Sequence, residues 1–243
     1  MKAYEKRVDF GWKHSLFLWV IVVLGMCGIT KLILNTKNVD LIRFAFLGPF
    51  KGNFILVIDL ALTLAFASLF MKFPEFVRYI GFKRLNKKWI LISFLTGIAF
   101  VAAGELIFYA QNLIIPMPEE KLAIYEQLLS TQDWKESLHW LAVFMLWVAP
   151  CEEVFARGFV QRGFENSLKG NVILAIFISC LLFGIYHQDV YRILPIALET
   201  MLLGYLYYKS DHNIFAPIIA HGFGNFFAVA VLAPLLPSLG FFI

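Results

Sequence analysis

The stretch "WVAPCEEVFARGF" sets two adjacent glutamates, Glu152 and Glu153, behind an unbroken apolar run, with Arg157 four residues after the second. Further on, "FGIYH" ends in His187, and "HGFGN" spaces His221 and Asn225 four apart. Ionisable groups inside apolar segments must be compensated, which makes them functional candidates by default. A glutamate with a histidine can hold and deprotonate a water. A histidine with an asparagine amide can donate to a developing oxyanion. That inventory suits hydrolysis of an amide. No serine or threonine adjoins these groups, so a serine–histidine triad is not offered. Cys151 neighbours Glu152 but points about 100° away from it on a helix.

Spacing sorts the roles. Glu153 and Arg157 share a helix face and form an ion pair in the favourable order. Glu152 is rotated by about 100° from Glu153, so one glutamate is structural and the other is free to act. His221 and Asn225 project together, and Gly222 and Gly224 beside them let another helix or an extended peptide come close. A hairpin turning at Lys169–Gly170 leaves Glu152 and His187 each about 18 residues from the turn, at the same height of roughly 26 Å. Residues distant in sequence are thereby brought level, as a single site requires.

The elements that carry these groups belong in a membrane. The 243 residues are 60% hydrophobic and 16% charged, with 26 phenylalanines. Mean hydropathy is +0.74. Soluble domains are about 25% charged. Apolar runs of this length predict helices rather than alternating strands. The expected fold is an all-α, polytopic transmembrane helix bundle of about seven or eight spans, at 12–34, 53–72, 88–112, 138–166, 171–187, 191–209 and 213–233, with the tail "APLLPSLGFFI" as a possible short eighth. The first run reads as a retained span, not a signal peptide. No repeat or linker divides the chain, so residues 1–243 are expected to form one domain, with a motif-bearing core over about 138–233.

Loop charge predicts orientation. Basic residues crowd the N-terminus and the 72–88 loop, whereas the 113–137 loop is acidic; the N-terminus is therefore expected in the cytoplasm. "PMPEEKLAIYEQLLS" has helical apolar spacing and is a candidate surface-lying helix. Because the basic residues sit in loops between spans, no nucleic-acid partner is expected. Cys27, Cys151 and Cys180 lie in apolar segments as buried small hydrophobes, without a disulfide framework or CxxC pair.

The three motifs together resemble a known family. "EEVFAR" fits EExxxR, "FGIYH" fits FxxxH and "HGFGN" fits HxxxN, in order and on successive helices. The chain is similar to the CAAX protease and bacteriocin-processing enzymes (CPBP or Abi family), which include the Rce1-type endopeptidases. The resemblance covers about 147–227 and implies an intramembrane glutamate protease of the plasma membrane if the source is prokaryotic. It makes Glu152 the base that activates water, His187 its assistant, and His221 and Asn225 the oxyanion site, with Glu153 and Arg157 supporting. It implies no metal and no cofactor. The implied partners are the lipid bilayer and a membrane-associated peptide or prenylated protein.

Rival readings are set by chemistry. Two glutamates and two or three histidines suit zinc, yet HExxH is absent and Arg157 lies one turn from the carboxylates, where it would repel a metal. Asp59 and Glu105 are expected to be packing or cavity residues. A non-catalytic member, binding a peptide, conferring bacteriocin immunity or acting as a scaffold, would be expected to lose a motif residue; none is lost. A transporter would show repeat symmetry or paired broken helices.

Overall fold

Backbone groups facing hydrocarbon have no water to bond, so long apolar runs close their hydrogen bonds internally as helices. The computed structural model describes residues 10–35, 56–122 and 134–232, and among these residues there is no strand. Helix α1 is Trp12–Asn35, α2 Leu56–Ser68, α3 Phe73–Tyr79 and α4 Lys87–Asn112. Helix α5 runs without a break from Trp134 to Ser167; α6 is Val172–Tyr186, α7 Ile193–Glu199, α8 Met201–Lys209 and α9 Phe215–Phe227.

Each of the seven expected spans coincides with helix, but the count holds only roughly. Three helices are long and apolar enough to cross a membrane alone (Trp12–Leu32, Lys87–Asn112 and Ser137–Ser167). A fourth qualifies if α2 and α3 count as one span bent by 113°. The bend follows from sequence: Pro74 suits the first turn of a helix and forces Lys72–Phe73 to start a new one, which Glu75 Oε2 closes by accepting from Lys72 N at 2.9 Å. The run expected at 191–209 is interrupted at Thr200, between α7 and α8. The tail after 232, the 36–55 connection and most of "PMPEEKLAIYEQLLS" lie outside the described residues.

Phenylalanine supplies the packing. Phe10, fully buried, meets Phe66 and Phe159 edge-on at 5.8 and 5.4 Å, and Phe76 stacks on Phe159 at 5.6 Å. Polar clasps fix the start of α1 to the end of α5: Trp12 N donates to Ser167 Oγ at 2.8 Å and Asn166 Nδ2 to Phe10 O at 2.9 Å. Asn213 Nδ2 donates to Lys83 O at 2.9 Å, and Ile214 N to Gly81 O at 3.2 Å. The N-terminus of α1, the basic 80–87 connection, the end of α5 and the 210–214 turn thus gather at one end of the bundle.

Helices α4 and α9 cross in close contact, and the crossing holds α9 in place. A Cβ on Gly97 would stand 2.5 Å from the Ala220 carbonyl oxygen, and one on Gly224 would stand 2.9 Å from the Gly97 oxygen. Gly97→Val is expected to destabilise the bundle by about 1–3 kcal/mol through overpacking. Gly28→Ala, whose Cβ meets nothing within 4 Å, should leave thermal unfolding in detergent unchanged.

Candidate active site

The site begins with an irregular helix. Pro150 lacks an N–H and its ring crowds the carbonyl one turn earlier, so the α-helical ladder cannot pass through it unaltered. Helix α5 responds with a π-turn over Phe144–Val148, returns to α over Ala149–Glu153, and widens again to π over Val154–Gln161. Glu152 and Glu153 occupy the short α-turn between the two. Such π-turns recur at functional positions because they re-aim side chains without ending the helix.

Glu153 is fully buried and engaged on both oxygens. Its Oε2 lies 3.2 Å from Arg157 Nε, and its Oε1 lies 2.7 Å from His221 Nδ1. Arg157, 1% exposed, donates from Nη2 to the Thr200 carbonyl at 3.0 Å and rests its guanidinium on the Phe183 ring at 4.9 Å. The break between α7 and α8 therefore presents its carbonyl to the arginine, while Thr200 Oγ1 donates back to Ile196 O at 2.6 Å. Below it, Gln161 Nε2 donates to Gly204 O at 3.0 Å.

Glu152, 7% exposed, faces the other side of the same imidazole, with its Oε2 3.6 Å from His221 Nε2. His221 thus stands between the two glutamates, one on each ring nitrogen. Asn225 is also buried, and its Oδ1 has no hydrogen-bond partner. Gly222 is pressed against the first π-turn, where a Cβ would meet Met145 Sδ at 2.7 Å, and Gly224 against α4. Neighbouring helices, not an extended peptide, fill the space that those glycines leave.

His187 caps the end of α6, and its Nδ1 is 2.9 Å from Phe183 O. A carbonyl only accepts, so Nδ1 carries the proton and, in the neutral ring, Nε2 carries the lone pair. Glu152 and His187 share no hydrogen bond or ion pair, although one guanidinium, resting on Phe183, joins α6 to the Glu153 side of the cluster. The six expected residues lie on α5 and α9 and at the end of α6; Glu152, Glu153, Arg157 and His221 form a joined buried group, with Asn225 buried one turn from His221.

Two neighbours were not legible as site residues. Asp59, fully buried on α2, accepts a hydrogen bond from Tyr186 Oη, and the Tyr186 ring packs edge-on against His187 at 5.2 Å. An expected packing residue thus anchors the residue just before His187. Glu199 presses against Gly104, whose Cβ would stand 1.6 Å from Glu199 Oε2, beside the expected Glu105. Neither partner is signalled by spacing, because each link crosses between helices remote in sequence. Among the described residues, no group of three or more His, Cys, Asp or Glu side chains is arranged to hold a metal ion.

Residues 134–227 match the family model described as type II CAAX prenyl endopeptidase, Rce1-like. This segment belongs to the CAAX protease family. The match starts with α5, ends with α9 and contains all three motifs, and the CAAX-protease segment and the apolar helices fit an integral membrane protein. No curated protein and no solved structure matches the chain.

Removing one partner of a buried ion pair leaves the other charge uncompensated, at a cost of about 3–5 kcal/mol. Arg157→Met should therefore lower the stability of the bundle by that amount in a detergent unfolding assay. Adding Glu153→Gln to it should recover part of the loss, since the stranded carboxylate is gone; two strictly additive losses would show that the pair is not coupled.

Proposed function

We propose that the chain is an intramembrane endopeptidase that hydrolyses a peptide bond in a membrane-associated substrate, such as a prenylated protein or peptide. The observation that carries this reading is His221, held by Glu153 on one nitrogen and facing Glu152 with the other. Glu153 is spent on Arg157 and His221, and Glu152 is the carboxylate left to act. The family description of the matched segment supports the substrate class.

In this reading Glu152 takes a proton from a water while the His187 Nε2 lone pair accepts that water's other hydrogen. The water oxygen forms a bond to the scissile carbonyl carbon, and the carbonyl oxygen becomes an oxyanion. A His221 that holds its Nδ1–H on Glu153 and carries a second proton on Nε2 donates to that oxyanion, as does the amide NH2 of the buried Asn225. The proton on Glu152 then passes to the nitrogen as the C–N bond breaks, and the carboxylate is regenerated. Arg157 and His221 both lie against the glutamates, and this pairing makes the burial of the group tolerable.

No step in this scheme calls for a metal, since a carboxylate activates the water and neutral donors with one imidazolium meet the oxyanion. The whole chain is assigned to one domain, supported by the close α4–α9 crossing and the clasps from α1 to α5. The N-terminus is assigned to the cytoplasmic face of a plasma membrane, supported by the gathering of the start of α1 with the basic 80–87 connection at one bundle end.

The test is cleavage of fluorogenic peptides, prenylated and unprenylated, by purified protein in detergent. Glu152→Gln should lower turnover by about 10²–10⁴ as a lost general base, and Asn225→Ala by about 10²–10³ as a lost oxyanion donor. A chelator should leave the rate unchanged. Undiminished cleavage by Glu152→Gln would sink the scheme, and a Glu152→Gln protein that still supported the cellular role would favour a non-catalytic peptide-binding or immunity protein.

A further inference from the structure

At the bundle end that gathers the basic connection, an open-mouthed cavity of about 370 Å³ is lined by Arg78, Tyr79, Lys83, Arg162, Asp211 and His212, among others. Its size falls in the roughly 300–1,000 Å³ range of small-ligand sites. Arg162 stands ten residues from Glu152 on α5, roughly 15 Å along the axis, so the cavity is separate from the catalytic group.

Three cations face one carboxylate in the lining. Asp211 is taken up by Lys83, whose ammonium binds it and holds its carboxyl below the usual range. The nearest further acid, Glu165, is also engaged: its Oε2 lies 2.7 Å from His212 Nε2, and its Oε1 accepts from Gln161 at 2.8 Å. Lys83 and His212 therefore compete with Arg162 for the two carboxylates on this side of the bundle. Its guanidinium lies over the Tyr79 ring at 5.4 Å, and both Arg162 Nε and Tyr79 Oη are buried with no hydrogen-bond partner. Two buried donors beside one another call for an acceptor.

The walls are built, not incidental. Asp211 and His212 hold left-handed backbone at φ 59° and 54°, and Gly81, at φ 74°, lies so close to the His212 carbonyl that a Cβ would stand 1.6 Å from it. Phe82 packs on Phe215 at 4.5 Å, locking the connection to the turn. Exposed Trp12 and Tyr208 stand at the same end, where such rings mark headgroup depth in membrane proteins.

We propose that this cavity binds a phosphate-bearing anion, and that its source is the headgroup of an acidic membrane lipid. Arg162 and Tyr79 supply the inner donors, and Arg78 and Lys83 the outer positive field. Basic pockets between helices at a membrane face are suited to such headgroups, and the site goes beyond the peptidase reading, on which it does not depend.

The test uses the full chain in neutral detergent, with thermal unfolding followed during titration of short-chain phosphatidylglycerol, short-chain phosphatidylcholine and inorganic phosphate. Phosphatidylglycerol should raise Tm saturably, and phosphatidylcholine, whose choline cation is repelled by the lining, should not. Arg162→Gln and Arg78→Gln should each weaken phosphatidylglycerol by about fivefold or more, and added salt should weaken it further. Should Arg162→Gln fail to fold, the exposed Arg78→Gln carries the comparison. Equal shifts with both lipids, or an unchanged affinity in Arg78→Gln, would overturn the proposal. A full shift with inorganic phosphate, with nothing added by the lipid, would overturn the lipid source.

Discussion

A carboxylate with no solvent exposure, Glu153, is the constraint around which this bundle is arranged. A lone charge cannot be kept there, so each of its oxygens is matched to a partner from a different part of the chain. Arg157 comes from the next turn of α5, and His221 from α9. The arginine in turn needs acceptors for a fork of donors, and finds the Thr200 carbonyl at the α7–α8 break and the face of Phe183 on α6. One buried acid therefore fixes four elements relative to one another. Glu152 inherits its position from this arrangement, because the ring it faces is pinned on the far side by Glu153.

The sequence showed the ingredients and not the junction. Glu153 and Arg157 at i, i+4 predicted an ion pair, and that pair is present because both ends belong to one continuous helix. The rotation between adjacent glutamates predicted that the two carboxylates point different ways, and Glu153 is the one with a partner on each oxygen. Helix positions were also legible, since apolar runs of that length have few alternatives. The meeting of His221 with both glutamates was not legible, because 68 residues separate it from Glu153 and nothing in HxxxN spacing states which ring nitrogen faces which acid. The level match between Glu152 and His187 placed both on facing helices, but equal height along a hairpin does not specify contact, and the two side chains are not bonded.

Irregularities account for the other differences. The span expected to end at residue 72 stops at Ser68, because Pro74 restarts the helix in a new direction. Pro150 had no role in a regular helical reading, yet the π-turn before it separates the glutamates from a straight α5. Asp59 carried no motif to mark it; its partner Tyr186 is 127 residues away. In each case the deciding interaction lies between elements, where periodicity carries no information.

Depth follows from how α5 is anchored. Its far end, from Arg162 to Ser167, packs against the start of α1 and the 210–214 turn, at the basic end of the bundle. Counting back ten residues from Arg162 to Glu152 gives roughly 15 Å, about half of a hydrocarbon core that is about 30 Å thick. His221 reaches a similar height from the same end, ten residues above Asp211 on the next strand of chain. Buried charges are tolerable only as a compensated group, and Glu152, the base in the proposed scheme, has the fully engaged Glu153 as its immediate neighbour.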